Sequence, residues 1–281
     1  MVLSSVRKIS RFFIGLLVSA LMVLPAVGVQ AAAPGSLYSY TLDGASATVT
    51  NNAAANTNVN LNLLGDWSQT SFGVKFEGNT TNKQSVGYAK PASGSTINVP
   101  ASQAFGGSVL FKYQAPTSGT CFADSPNITQ IGKYGAGLTQ FKFQISNCGK
   151  SQTAVFPQCR VAGSSGANNP VMGTQSLIDG YDYILQCIKS PDPASGSASL
   201  QMNLTKIDPV NGNVTYTNNF AINKTGTLNS TQYLSVANQY PLKSQANNTD
   251  QFNGEVSKVA YCTGATVADA QICLDTEVPL Q

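Results

Sequence analysis

The sequence predicts an all-β fold of two antiparallel sheets stacked face to face, and three observations carry that expectation. Short runs of alternating apolar and polar residues recur along the chain, separated by turns rich in Gly, Asn, Asp and Ser. Helical periodicity is nearly absent. The closing stretch from Asp250 to Tyr261 reads as a core strand: Phe252, Val256, Val259 and Tyr261 supply large apolar groups around a kink at Gly254, while Glu255, Ser257 and Lys258 are expected to stay in water.

At the start of the chain, Arg7, Lys8 and Arg11 precede an apolar run from Phe12 to Val29, interrupted by Gly15 and Pro25 and closed by Val29-Gln30-Ala31. This is the layout of a signal peptide over 1–31, cleaved after Ala31, with Ala32 and Ala33 as alternative sites. The competing reading is an uncleaved membrane anchor; Pro25 and the small-residue end count against it. The rest, 32–281, is expected to be one sandwich domain that is secreted, with no further membrane span.

Strands are predicted at Leu37–Leu42, Ser85–Tyr88, Ser95–Val99, Ser108–Tyr113, Ile128–Lys133, Gln140–Ser146, Gln158–Val161, Tyr181–Lys189, Ser199–Asp208, Asn213–Phe220 and Glu255–Tyr261. Around residue 74, Phe72, Val74 and Phe76 are expected on one face, with Lys75 and Glu77 on the other. Asp43-Gly44 and Asn211-Gly212 supply turns, the second inside a hairpin loop over Asp208–Asn213. Asn51–Asn60, Ala162–Gly173 and Ser190–Ser197 read as loops. One short helix is expected at Thr266–Ile272.

The formal charge of +3 lies wholly in the first segment: of 16 Lys and Arg against 13 Asp and Glu, removing Arg7, Lys8 and Arg11 leaves 13 against 13. A neutral chain offers no counterion-release term, which argues against nucleic acid as a partner. The six cysteines, Cys121, Cys148, Cys159, Cys187, Cys262 and Cys273, include no C-x-x-C pair and suit disulfides in an exported protein. The expected pairing is Cys262 with Cys273 across a short loop, Cys159 with Cys187 on strands taken to be antiparallel neighbours, and Cys121 with Cys148 by elimination.

Several segments, in order, resemble the laminin-G-like and concanavalin-A-like domains. They are Phe76-Glu77-Gly78-Asn79, Phe105 to Tyr113, Leu177-Ile178-Asp179-Gly180-Tyr181-Asp182-Tyr183-Ile184, and Phe252 to Tyr261 followed by Ala265 to Ile272. The similarity spans roughly Tyr40 to Cys273, and Tyr181 to Tyr183 stand where the family often has Trp-His. It implies a jelly roll that binds or cuts carbohydrate. It also implies that calcium, if a cofactor is used, is held by the Asp250 carboxylate and the Gly78 carbonyl, since Ca²⁺ takes oxygen ligands in irregular geometry.

Catalysis of the family's kind needs carboxylates projecting together from one strand. After the first segment the chain has three glutamates, Glu77, Glu255 and Glu277, far apart in sequence and, for the first two, read as exposed strand positions. There is no histidine, so imidazole bases and ligands are excluded. The expected function is therefore a non-enzymatic secreted domain recognising a glycan or a cell-surface protein. A glycoside hydrolase or polysaccharide lyase, and an adhesive envelope protein without a sugar site, are the alternatives. Sugar contacts are expected from Trp67, Tyr134, Asp179, Tyr181, Asp182 and Tyr183, with Tyr240 a further aromatic; for each ring, core packing is the competing role.

Overall fold

A computed structural model of the protein describes residues 35–53, 59–76, 85–90, 97–115, 125–135, 138–146, 154–231, 233–238 and 251–280, with the backbone alone at 134, 135 and 138. In chain order the strands are β1 (Ser36–Thr41), β2 (Thr48–Val49), β3 (Leu61–Gly65), β4 (Trp67–Gln69), β5 (Val74–Phe76), β6 (Ser85–Ala89), β7 (Ile97–Val99), β8 (Ala104–Tyr113) and β9 (Asn127–Gly135). There follow β10 (Leu138–Ser146), β11 (Phe156–Ala162), β12 (Asn168–Met172), β13 (Asp182–Lys189), β14 (Ala198–Ile207), β15 (Val214–Ile222), β16 (Leu228–Ser230), β17 (Leu234–Val236), β18 (Gly254–Gly264) and the helix α1 (Val267–Glu277).

Among these residues the strands form two eight-stranded antiparallel sheets and a two-stranded ribbon of β16 and β7. The first sheet is ordered β15-β14-β13-β8-β18-β5-β4, with β1 also on β18; the second is β12-β11-β10-β9-β17-β6-β3-β2. The fold is the two-sheet antiparallel jelly roll, with one helix near the C-terminus.

The core lies between the sheets because alternate residues point inward. Phe105, Val109, Phe111, Tyr183, Leu185, Val259 and Tyr261 of the first sheet meet Ile131, Phe141, Phe143, Ile145, Val161 and Leu234 of the second. Phe105 and Phe141 pack edge to face with centroids 4.9 Å apart. Room for these rings is made at Gly107, where a Cβ would lie 2.7 Å from the Phe143 ring. One polar chain crosses the core: the Tyr261 hydroxyl lies 3.0 Å from Thr129 Oγ1, which donates to the Ser235 carbonyl at 3.0 Å. Burial raises the Tyr261 phenol far above its ordinary range.

β18 carries the predicted apolar groups inward, and its irregular spacing has a structural cause. Val256 and Val259 are three apart yet both core-facing because the register against β8 shifts between Val256 and Lys258, leaving Ser257 as a bulge. At Gly254 the backbone has φ +153°, and a Cβ would meet the Lys112 carbonyl oxygen at 2.4 Å. Glu255 and Ser257 are buried, not in water: β18 is an interior strand, and side chains from other elements cover its outer face.

That outer face bears α1. Thr266 caps the helix: its Oγ1 accepts from the Asp269 N–H at 3.2 Å, and Asp269 Oδ2 accepts from the Thr266 N–H at 2.9 Å. Ala270, Cys273, Leu274 and Val278 pack on Ala104, Leu110, Ile184, Ile188, Ala260 and Cys262. The helix runs to Glu277, beyond the predicted end at Ile272, because this second apolar cluster and the Cys262–Cys273 disulfide hold its last turns down.

Other expectations need correction. Phe72 does not share a face with Val74 and Phe76; it packs with the helix-side cluster, since the strand begins only at Val74. Ala162–Gly173 is not all loop: it contains β12, an edge strand that tolerates Pro170. Cys159 and Cys187 are bonded, with Cα atoms 6.5 Å apart, but they lie on β11 and β13 in opposite sheets, so the bridge crosses the sandwich. Cys121 and Cys148 lie outside the described residues.

Candidate functional site

Register places a rank of side chains across the outer face of the first sheet, just beyond α1. Ser68 of β4 faces Lys75 of β5, Lys75 faces Glu255 of β18, Glu255 faces Lys112 of β8, and Lys112 faces Asp182 of β13. Four successive strands thus carry alternating charge, the favourable cross-strand order. Lys112 Nζ is 3.5 Å from Asp182 Oδ1, with both side chains about a third exposed (28% and 30%). Glu255 is fixed from both sides: Thr70 Oγ1 donates to one oxygen at 2.6 Å, and Gln114 Nε2 to the other at 3.1 Å. Burial raises the Asp182 carboxyl above its ordinary value; the Lys112 ammonium opposes the shift and the Glu255 charge adds to it.

Phe72 packs with the helix-side cluster on this face, whereas Tyr181 packs against the core between the sheets. The Lys112 ammonium stands 4.9 Å from the Phe72 ring centroid, and the Lys206 ammonium 3.8 Å from that of Tyr181. The turn before β13 holds Tyr181 at the end of the sheet, against the core. Gly180 N–H donates to the Tyr113 carbonyl at 2.9 Å, Tyr113 N–H returns a bond to the Tyr181 carbonyl at 3.3 Å, and Asp179 Oδ1 accepts from the Ala115 N–H at 2.7 Å.

The sequence-predicted residues therefore separate into groups. Asp179, Tyr181 and Asp182 lie in and just after the turn before β13, Asp179 exposed and the other two half-buried, but Tyr181 packs against the inter-sheet core and Asp182 faces outward opposite Lys112. Tyr183 is next to them in sequence but packs inside: its ring is 1% exposed and stacks on Phe111, and its hydroxyl accepts from the Ile178 N–H at 2.8 Å. Trp67 lies opposite Phe76 on β4, half-buried against the core and four strands from β13. The side chain of Tyr134, and residues Gly78, Asp250 and Tyr240, lie outside the described part, and with them the implied calcium ligands. Among the described residues no group of three or more acidic, cysteine or histidine side chains is placed to hold a metal.

Lys112, Glu255 and Phe72 on the outer face, and Lys206 beside Tyr181, are residues that sequence reading missed. Lys112 offered a signal, since it is the one charge in the otherwise uncharged run from Ala104 to Tyr113. What the arrangement can do chemically is present carboxylate, ammonium and amide groups at one level beside the half-buried Phe72 ring. Glu255 and Asp182 point the same way but two strands apart, about 9–10 Å by strand spacing. Lys112 stands between them.

The two antiparallel sheets define the class of architecture as a β-sandwich. Neither a protein-family model nor a curated protein sequence matches the chain. Among solved structures it is similar to one of botulinum neurotoxin type C described for cell entry through two ganglioside molecules, at 9% identity and a TM-score of 0.49, covering 86% of this chain and 51% of that one. It is also similar to the binding domain of botulinum neurotoxin serotype G, at 9% identity and a TM-score of 0.48, covering 86% and 50%. A heptameric SAP-like pentraxin from Limulus polyphemus matches at 8% identity and a TM-score of 0.37, covering 72% and 80%. The chain spans about half the length of the first two. The likeness is one of architecture, which the two sheets already define.

Proposed function

We propose that the protein is an exported, non-enzymatic binding module that recognises a carbohydrate through the Asp179–Tyr181 rim. The observation that supports it is the half-buried Tyr181 ring at one end of the sheet, one residue before the Asp182 that pairs with Lys112 on the outward face. A pyranose needs an apolar face for its C–H groups and fixed polar partners for its hydroxyls, and this end of the sheet carries both, the ring on its inward side and the ion pair on its outward side. Lys206 covers one face of Tyr181, so a sugar ring either displaces that ammonium or takes the other side. A hydrolase reading asks for two free carboxylates, whereas both oxygens of Glu255 are hydrogen-bonded and Asp182 is ion-paired.

Export and the calcium ligands belong to the same reading: the first segment as a cleaved leader, and Asp250 with the Gly78 carbonyl as an ion site. A glycan array probed with the protein in calcium and again in chelator tests both parts. Selective binding is expected, weakened at least about tenfold by Tyr181→Ala with an unchanged melting temperature. An array silent in both conditions would leave the sandwich as a spacer.

A further inference from the structure

The outer face of the second sheet holds a cation whose donor has no acceptor. Register puts Gln130 of β9 opposite Lys142 of β10, and Lys142 opposite Arg160 of β11. Two cations directly opposite each other on one sheet face repel. The adjoining ranks carry Asn127, Gln144 and Gln158 on one side and Gln140 and Asn168 on the other, with no carboxylate among them.

Arg160 is the sole arginine after residue 11, in a chain that otherwise uses lysine for positive charge. Lysine serves where a point charge is enough; arginine presents a planar fork that matches an oxyanion. Its Nε is enclosed and makes no hydrogen bond. In the neighbouring ranks Gln144 donates its amide N–H to Gln158, leaving Gln144 Oε1 enclosed without a donor, and Asn168 Oδ1 and Asn127 Oδ1 are in the same state. Buried polar groups are normally satisfied. An unanswered guanidinium N–H set among unanswered amide oxygens calls for a partner that accepts at one point and donates at its neighbours.

A hydroxylated ring bearing an oxyanion has that pattern. The way in lies at β12, the edge strand, where Met172 on this same face is 42% exposed and Arg160 and Asn168 are half-buried. We propose that the outer face of β10–β12 binds an acidic sugar, a uronate or a sulfate ester. Arg160 holds the oxyanion, and the Gln144 and Asn168 oxygens accept from ring hydroxyls. The site shares a ligand class with the rim on the first sheet and none of its residues, so Tyr181→Ala leaves it intact and the two readings fail separately.

The test is an NMR titration of the ¹⁵N-labelled full chain at low ionic strength, following the arginine Nε–H signal that disappears in Arg160→Lys. Probes are a galacturonate tetrasaccharide, a heparin-derived tetrasaccharide and neutral maltotetraose. A saturable shift with either acidic probe, absent with maltotetraose and weakened about tenfold or more in Arg160→Lys, is the expected result; the probe that acts identifies uronate or sulfate. No saturable shift with either acidic probe, an equal shift with the neutral one, or unaltered affinity in Arg160→Lys overturns it. Should Arg160→Lys fail to fold, Arg160→Gln assigns the signal and the wild-type titration decides.

Discussion

Asp208 shows how much one side chain organises locally. In the hairpin between β14 and β15 its Oδ1 accepts the N–H groups of Asn211 and Val210, each at 3.0 Å, its Oδ2 accepts from Asn211 Nδ2 at 3.1 Å, and Lys206 Nζ stands 3.7 Å away. The Asn211 backbone bond leads in pulling the carboxyl from 3.8 down to about 2. A depressed acid stabilises the fold above its unfolded value, and that contribution is lost as pH falls through about 2. The Asp208 carboxyl ¹³C shift is expected to titrate with a midpoint near 2; a midpoint near the ordinary value would show that the loop does not hold the anion. This loop was legible from Asp208, Asn211 and Gly212, because turn chemistry is local. Glu255 was legible only as polar: the group that covers it, Thr70, lies 185 residues away, and alternation along a strand names a face without naming what lies over it.

Among elements, the connection from β13 to β14 is tied down by a buried ion pair. Lys189 Nζ is 3.2 Å from Asp192 Oδ1, with side chains 1% and 8% exposed. Burial lowers the Lys189 pKa, and Asp192 opposes the shift. Asp192 also accepts from the Gly226 N–H at 2.7 Å, so it joins two loops. Asp192→Ala leaves the buried ammonium without a counter-charge, with the Ala101 carbonyl at 3.4 Å as its acceptor, and is expected to cost about 3–5 kcal/mol in denaturant unfolding. Lys189→Met costs less, because the carboxylate keeps its Gly226 and Thr225 donors. Equal losses would mean the pair is not asymmetric in this way. Long strands such as β8, β13, β14 and β18 were readable from their pattern. β2, β4, β16 and β17, two or three residues each, were not, since a period of two needs more positions than that to appear.

For the whole molecule, the Cys159–Cys187 bond is, among the described residues, the covalent link between the sheets. Replacing both cysteines by serine is expected to lower stability by about 2–4 kcal/mol, read as a fall in melting temperature under oxidising conditions; an unchanged value would assign sheet cohesion to the aromatic core alone. The pairing could be anticipated from the sequence, but not that the strands face each other across the core, because alternation fixes a strand's own two faces and leaves its partners open. α1, fastened by Cys262–Cys273, roofs Leu110, Ile184 and Ala260 and stops one rank short of Lys112 and Asp182. What remains is a ledge running across four strands, on the order of 14 Å long by strand spacing. The helix walls one side of it, so a visitor bulky in that direction is turned away before it reaches Lys112 and Asp182.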